Sequence, residues 1–224
     1  MQNQFKNYDM NNFRIEAYSP NDNIIKFLIR KLRLLRDAEF CCFLSHIKAV
    51  HQSYLNGDNY CIVMEDNVEL EHFYKNINNI EKLFDIYDDW ECINLLVTGP
   101  EVKLKSLYKE YEKKLLVPYI KKKYVYGTKV LLYNRKGMER ILKIFPTIDE
   151  NIKINNDDKY QNRLVSDIFI FEKCNTYLST FPYGNFNCNF KTTIHKNNNV
   201  KIIKNLNELI KKFHLTYHII QLKN

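Results

Sequence analysis

Hydrophobic positions in this sequence follow two patterns, helical spacing and short continuous runs. Residues 21–35 place apolar side chains at near-helical spacing with basic residues between them, which predicts an amphipathic helix. The run YCIVM at 60–64 is short and partly β-branched, as is typical of a strand covered on both faces. WECINLLV at 90–97 predicts a second buried strand, with Trp90 in the core. Helices that alternate with buried strands indicate the α/β fold class.

The same spacing predicts elements in the rest of the chain. Ser45 is expected to cap a helix that continues to Leu55, and Asn134 is expected to cap a later one, because both side chains accept hydrogen bonds from free backbone N–H groups. Residues 101–114 carry charge on nearly every turn, show no clean apolar face, and are assigned no function. The remaining predicted helices cover 71–87, 135–145, 168–174 and 201–215, and the remaining strands cover 127–133 and 176–181.

Composition places the chain among ordinary folded domains. Its 224 residues fit one domain, 1–224, that is long enough for a sizeable core. Hydrophobic residues make up 45% of the chain, and only five glycines and five prolines are present, which excludes a collagen-like or low-complexity protein. The sequence has neither tandem repeats nor a Pro/Gly/Ser-rich linker. We therefore predict a single domain.

The cysteines and the amino terminus bear on the cellular compartment. None of the six cysteines is in C-x-x-C spacing, which argues against a zinc site or a thioredoxin-type motif. Cys42, Cys61 and Cys92 lie within apolar runs and are expected to be small core residues. The first ten residues are polar, and no apolar stretch approaches the ~18 residues that a membrane-spanning helix requires. We therefore predict a cytoplasmic protein.

The chain is basic, with a net charge of +8 and a pI of about 9.0. Such a charge favours anionic partners: nucleotide phosphates, nucleic acid or an acidic membrane surface. A nucleic-acid-binding protein stays an alternative but is not favoured, because no zinc-finger spacing or RNP-like motif supports it. The predicted helix 201–215 has a lysine-rich face, so binding to the surface of an acidic membrane stays an alternative. Docking of this helix on the domain is favoured.

Three polar residues, Glu65, Asp66 and Asn67, directly follow the predicted strand 60–64. In open α/β sheets, ligands bind at the carboxyl ends of strands. Carboxylate oxygens suit Mg²⁺ or Mn²⁺, and Mg²⁺ commonly binds one or two carboxylates together with substrate phosphates. Spacing alone favours the alternative, a solvated loop whose acidic residues face the start of the next helix.

Three motifs resemble those of the glycosyltransferases of family 25. EFCCFLSH at 39–46 is similar to the family pattern E-I-G-C-x-L-S-H, and E-D-N-V at 65–68 is similar to the family's E-D-D-V at a strand end. VYGTKVLLYNRKGMERIL at 125–142 resembles G-T-x-x-Y-L-I-S-R-K-G-x-E-K-L-L. Two positions depart from these patterns: Cys41 replaces a glycine and Asn67 replaces the last aspartate.

This resemblance implies a GT-A-like, Rossmann-like fold, with matched blocks over about 13–182. Family 25 includes lipopolysaccharide and lipooligosaccharide glycosyltransferases and procollagen galactosyltransferases. The resemblance therefore implies transfer of galactose or glucose from a UDP-sugar to a glycan or a hydroxylated protein acceptor. In this alignment the sequence begins just after the first strand of the family. Together with Asn67, this leaves a second hypothesis, a degenerate relative that binds a nucleotide or glycan without catalysis.

The resemblance also implies which residues form the site. LVSDIFIF at 164–171 resembles a P-V-D-x-x-L-like element of the family, which matches Asp167 to its aspartate. Asp167 would then be the general base for the acceptor hydroxyl, with its pKa raised by apolar surroundings. The alternative for Asp167 is an N-cap of the helix 168–174. Asp66, Asn67 and His195 would bind Mn²⁺ or Mg²⁺, and an unligated surface histidine is the alternative for His195. The residues expected around the nucleotide are Ser45, His46, Glu65, Asp66, Gly127 and Thr128.

Overall fold

The computed structural model describes residues 5–6, 12–32, 37–119, 127–146, 148, 166–186 and 204–214. Its main helices are α1 (Asn23–Leu32), α2 (Asp37–Leu55), α3 (Glu71–Lys75), α4 (Ile77–Ile80), α5 (Glu101–Lys109), α6 (Arg135–Ile144), α7 (Ser166–Lys173) and α8 (204–214). Its strands are β1 (Tyr60–Met64), β2 (Val68–Glu69), β3 (Cys92–Asn94), β4 (Leu116–Pro118), β5 (Val130–Asn134), β6 (Thr176–Ser179) and β7 (Asn185–Phe186).

Five strands form one mixed sheet in the order β1-β5-β3-β6-β4. β5 pairs antiparallel with β1 and β3, β3 pairs parallel with β6, and β4 pairs antiparallel with β6. β1, β3 and β6 therefore run in one direction and end at the same side of the sheet, where β4 and β5 begin. We call this side the carboxyl end of the sheet. The α/β class predicted from the sequence is confirmed, with a sheet roughly of the Rossmann-like kind.

The core lies on both faces of this sheet. In β5, Val130 and Leu132 pack into one hydrophobic cluster, and Leu131 and Tyr133 pack into another, because successive strand residues face opposite sides. The first cluster includes buried residues of α3, α4, α5 and α8, and the second includes buried residues of α1, α2, α6 and α7. Helices thus cover both faces, and α8 docks on the domain as predicted.

Two predicted helix caps have different outcomes. Asn134 caps α6, because its Oδ1 accepts a hydrogen bond from Gly137 N at 2.8 Å. The prediction for Ser45 is wrong, since α2 already begins by Asp37 and Ser45 lies inside it. The Ser45 hydroxyl donates to the carbonyl of Cys41, one turn earlier, at 2.6 Å. A serine within a helix commonly forms this bond to the preceding turn.

Other predictions of elements need correction. β1 has the predicted bounds but is not covered on both faces, since Tyr60 is 48% and Ile62 is 37% exposed. The helix predicted over 71–87 is divided into α3, α4 and a 3₁₀ turn at Glu81–Leu83. Residues 101–114, to which we assigned no clean apolar face, contain α5. Among the described residues, no helix combines the length and apolarity needed to cross a membrane.

Tyr108 in α5 carries a buried hydroxyl with no hydrogen-bond partner among the described residues. Because an unpaired buried polar group costs about 1–3 kcal/mol, Tyr108→Phe should raise the free energy of unfolding by about 1 kcal/mol. Urea denaturation measures this. The matched control is Tyr177→Phe, since the Tyr177 hydroxyl bonds Asp89 Oδ1 at 2.9 Å. A loss of stability in Tyr108→Phe as large as in the control would contradict the prediction.

Candidate functional site

The candidate site lies at the carboxyl end of the sheet, where β1 ends beside the start of β5. Glu65 follows β1, and its backbone N–H donates to the carbonyl of Lys129, just before β5, at 3.0 Å. Gly127 and Thr128 precede Lys129, so two segments predicted as parts of the site from separate motifs are adjacent in space. The sheet order explains this, because β1 and β5 are antiparallel neighbours.

Three side chains contact the Glu65 carboxylate, two from the segment before β5 and one from α2. Thr128 Oγ1 donates to Glu65 Oε1 at 3.3 Å, and Lys129 Nζ forms an ion pair with Oε2. His46 Nε2 lies 3.9 Å from Oε1. Burial alone would raise the pKa of Glu65, but the contact with His46 and the charge of Lys129 outweigh it and lower the pKa to about 2. Glu65 is therefore an ionised, fixed carboxylate that joins β1, β5 and α2.

His46 is buried beneath this carboxylate, with 4% of its surface exposed. Its Nδ1 has no hydrogen-bond partner among the described residues. Burial alone would lower the pKa of His46, but the neighbouring Cys42 and Glu65 side chains raise it to about 9. Ligand atoms of Cys42, His46 and Glu65 all lie within 4.8 Å of one another. Cys42 is half-buried rather than a core residue as predicted, and Ser166 Oγ in α7 lies 3.7 Å from its Sγ.

The His46–Glu65 contact predicts a fall in stability at high pH in chelator-treated protein. The pKa of His46 is about 9 in the fold and ordinarily 6.5, so its stabilising effect is complete below pH 6.5 and is lost as the pH rises through 9. We expect His46→Gln to abolish this decline in urea unfolding experiments between about pH 6 and about pH 10. His51→Gln, on the same helix, is the control, and an unchanged decline in His46→Gln would refute the prediction.

A glycine is required at position 127, because the backbone there lies close to the side chain of Thr98. Its φ is +91°, and a Cβ at this position would lie 2.2 Å from Thr98 Oγ1. Its carbonyl accepts a hydrogen bond from Asn94 Nδ2 at 2.8 Å, and Asn94 Oδ1 accepts from Leu96 N at 3.1 Å. Asn94 is fully buried at the end of β3, so it fixes the segment before β5 to the centre of the sheet.

Asp66 and Asn67 occupy different environments at the same end of the sheet. Asp66 is exposed, so its carboxylate is accessible to a ligand. Asn67 Oδ1 is buried and has no hydrogen-bond partner among the described residues. Both side chains carry oxygen atoms, the kind of ligand that Mg²⁺ or Mn²⁺ prefers. Asn185 Oδ1, in β7, is a second buried acceptor without a partner in the described part, and Asn185 pairs with Glu69 of β2.

Of three further predicted site residues, the structure describes only the side chain of Ser45. Ser45 Oγ accepts from Tyr18 N at 2.9 Å and donates to Cys41, so its hydroxyl is already engaged within the protein. Asp167 lies inside the first turn of α7 rather than at its N-cap, and its side chain is outside the described part of the structure. His195 lies outside the described residues, so its predicted role in metal binding stays a prediction.

Sequence reasoning missed three residues at this end of the sheet. Cys42 could have been found, because it precedes His46 by four positions and a helix puts such residues on one face. Lys129 and Asn94 gave no such signal, since their contacts with Glu65 and Gly127 depend on the order of strands in the sheet. All three lie within the described part of the chain.

Comparison with known proteins assigns no family to the chain. The sequence matches no protein-family model. A search of curated proteins finds no significant match either. Function is therefore inferred from the residues and the geometry described above.

Proposed function

We propose that the chain is a glycosyltransferase with a GT-A-like fold, which transfers galactose or glucose from a UDP-sugar to a glycan or hydroxylated acceptor. One observation carries this proposal. Glu65 and Thr128, 63 residues apart, belong to two separate motifs that resemble family 25, and their side chains are hydrogen-bonded at the carboxyl end of the sheet. This is also the end at which open α/β sheets bind ligands.

Asp66 and Asn67 are the proposed ligands of Mn²⁺ or Mg²⁺. The exposed Asp66 carboxylate carries the charge, and the unpaired Asn67 Oδ1 offers a neutral second oxygen. A divalent ion bound there supplies neutralisation of the diphosphate that leaves the sugar. Glu65 is not assigned to this ion, because its carboxylate lies beside His46 and Lys129. Its proposed role is to hold the loop 65–67 in place.

The acceptor side of the reaction is assigned to α7. Asp167 adjoins Ser166, whose hydroxyl lies 3.7 Å from Cys42 Sγ, so the start of α7 packs against the helix that carries His46. Asp167 is the proposed general base that takes the proton from the acceptor hydroxyl as its oxygen attacks the anomeric carbon. Gly127 and Thr128 are proposed to bring backbone close to the nucleotide, since a glycine leaves room for such an approach.

Calorimetric titration of UDP into the purified chain, with and without Mn²⁺, tests the proposal. We expect binding that requires Mn²⁺, followed by transfer or slow hydrolysis when UDP-galactose or UDP-glucose is supplied. CMP is the matched control nucleotide, because it lacks both the uracil base and the diphosphate. No UDP binding by a folded sample, judged by circular dichroism, would overturn the proposal.

A second candidate function, binding without transfer, is favoured by Asn67. Its amide oxygen has no charge, so metal binding should be weaker than with two carboxylates. UDP binding without release of UDP from either UDP-sugar, across a panel of glycan acceptors, would favour this function over transfer.

Asn67→Asp is expected to strengthen the dependence of UDP binding on Mn²⁺. The substitution restores a second negative charge at a position whose oxygen is buried and unpaired. Affinity for Mn²⁺ should rise about tenfold, which corresponds to about 1.4 kcal/mol of binding free energy. Manganese titration followed by electron paramagnetic resonance measures it. Asn56→Asp, in the exposed turn before β1, is the control. Equal affinities for Mn²⁺ in both variants would show that residue 67 does not contact the ion.

A further inference from the structure

Cys42, His46 and Glu65 form a group whose chemistry differs from that of the acidic loop. We call these three residues the thiol cluster. Their ligand atoms lie within 4.8 Å of one another and come from two elements: Cys42 and His46 lie one turn apart on α2, and Glu65 follows β1. The imidazole nitrogen 3.9 Å from Glu65 Oε1 is Nε2, and the other ring nitrogen, Nδ1, is buried without a hydrogen-bond partner among the described residues. The cluster therefore offers sulfur, nitrogen and oxygen donors at one point.

We propose that the thiol cluster binds Zn²⁺, with Cys42 Sγ, a ring nitrogen of His46 and Glu65 Oε1 as its three protein ligands. Thiolate, imidazole and carboxylate are the donors that zinc takes in proteins, and three protein ligands leave a fourth position open to water. Binding releases the thiol proton of Cys42 and the second ring proton of His46 to solvent, so affinity for the ion rises with pH. Zinc bonds of about 2.0–2.3 Å place ligand atoms about 3.3–3.8 Å apart in a tetrahedral site. The His46–Glu65 separation of 3.9 Å is already close to this range.

The surroundings of the thiol cluster match those of a supported metal site. Lys129 pairs with Glu65 Oε2, which orients the carboxylate and leaves Oε1 directed at His46. Thr128 donates to Oε1, and the Ser166 hydroxyl lies beside Cys42 Sγ. Groups that hold the ligands in this way are typical of metal centres. Zn²⁺ with one thiolate and one carboxylate is formally neutral, so the ammonium of Lys129 meets no net positive charge.

This site is distinct from the proposed Mn²⁺ or Mg²⁺ position. Asp66 and Asn67 present only oxygen, which suits hard cations, whereas sulfur and imidazole select a softer ion. The inference needs no glycosyl transfer and no nucleotide. It holds or fails separately from the proposed function.

Co²⁺, a spectroscopic substitute for Zn²⁺, tests the inference. The chain is treated with chelator, returned to chelator-free buffer with a reductant that does not bind metal, and titrated with Co²⁺. We expect one ion per chain, visible d–d bands of a tetrahedral site and a thiolate-to-metal charge-transfer band. Excess Mg²⁺ should leave the spectrum unchanged, and Zn²⁺ should abolish it by displacing the cobalt. Absence of the charge-transfer band in the folded wild-type chain would overturn the proposal.

Variants assign the signal to the cluster. Cys42→Ser should remove the charge-transfer band and weaken Co²⁺ binding more than about 100-fold, exceeding the loss usual for residues that only support a ligand. Cys61→Ser, a half-buried cysteine on β1, is the matched control and should behave as wild type. The proposal would be refuted if the charge-transfer band persisted in Cys42→Ser. It would also be refuted if the band were lost in Cys61→Ser but not in Cys42→Ser.

Discussion

Gly137→Ala is expected to destabilise the fold by about 3 kcal/mol or more, a large effect for the addition of one methyl group. A Cβ at this position would lie 2.0 Å from the carbonyl oxygen of Glu91 and 2.8 Å from its carbonyl carbon. Both are backbone atoms, so neither can rotate away. Separating them would pull α6 away from Glu91, the residue before β3, and break the hydrogen bond from Asn134 N to the Glu91 carbonyl. Urea denaturation of the purified variant measures the loss.

The control for this prediction is Gly57→Ala. Gly57 has a φ of +85°, but a Cβ there would meet nothing within 4 Å. We expect a loss of about 1 kcal/mol, from backbone strain alone. If Gly137→Ala lowered the free energy of unfolding by no more than Gly57→Ala, the result would contradict close packing of α6 on Glu91. The contrast separates steric overlap from conformational strain.

Asp66→Ala is expected to reduce Mn²⁺-dependent binding of UDP by more than about 100-fold while leaving the fold intact. Asp66 is exposed and is the proposed charged ligand of the ion, so its removal takes away the main electrostatic attraction. Loss of one charged contact in a metal–diphosphate site is worth about 3 kcal/mol, which corresponds to that factor. Calorimetric titration with UDP and Mn²⁺ measures it.

The matched control is Asp85→Ala, which removes another exposed aspartate from a loop on the described surface. It should bind UDP as the wild type does. Thermal unfolding should be similar in both variants, because neither carboxylate is buried. Unchanged UDP affinity in Asp66→Ala would exclude Asp66 from the site and with it the proposed position of the ion.

Local patterns predicted those parts of the fold that depend on neighbouring residues. The run 60–64 became β1 with the expected bounds, and Asn134 became the cap of α6, because strand-forming residues and caps act over short distances. Ser45 was misjudged because serine can cap a helix or bond to the turn before it. The helix over 71–87 was too long because apolar spacing continues through Asn76, whose side chain instead bonds the carbonyl of His72 at 2.8 Å.

The sheet order could not be predicted in this way, and the site depends on it. β5 lies between β1 and β3, which brings Lys129 and Thr128 to Glu65, and Gly127 to Asn94. Hydrophobic runs indicate burial but do not state which strand pairs with which. The exposure of Tyr60 could not be predicted for the same reason, because it depends on β1 being an edge strand of the described sheet.

The position of β1 in the sheet has a consequence for motion. Within the described chain, β1 pairs with β5 alone, whereas β5 is held on both sides by β1 and β3. Detaching β1 breaks one ladder of hydrogen bonds, so its amides should open to exchange at a lower free energy than those of β5. Residues 65–67 continue β1 and would open with it. A ligand that contacted both this loop and the start of β5 would therefore stabilise the pairing of β1 with β5. Tighter binding would appear as slower amide hydrogen exchange along the whole of β1.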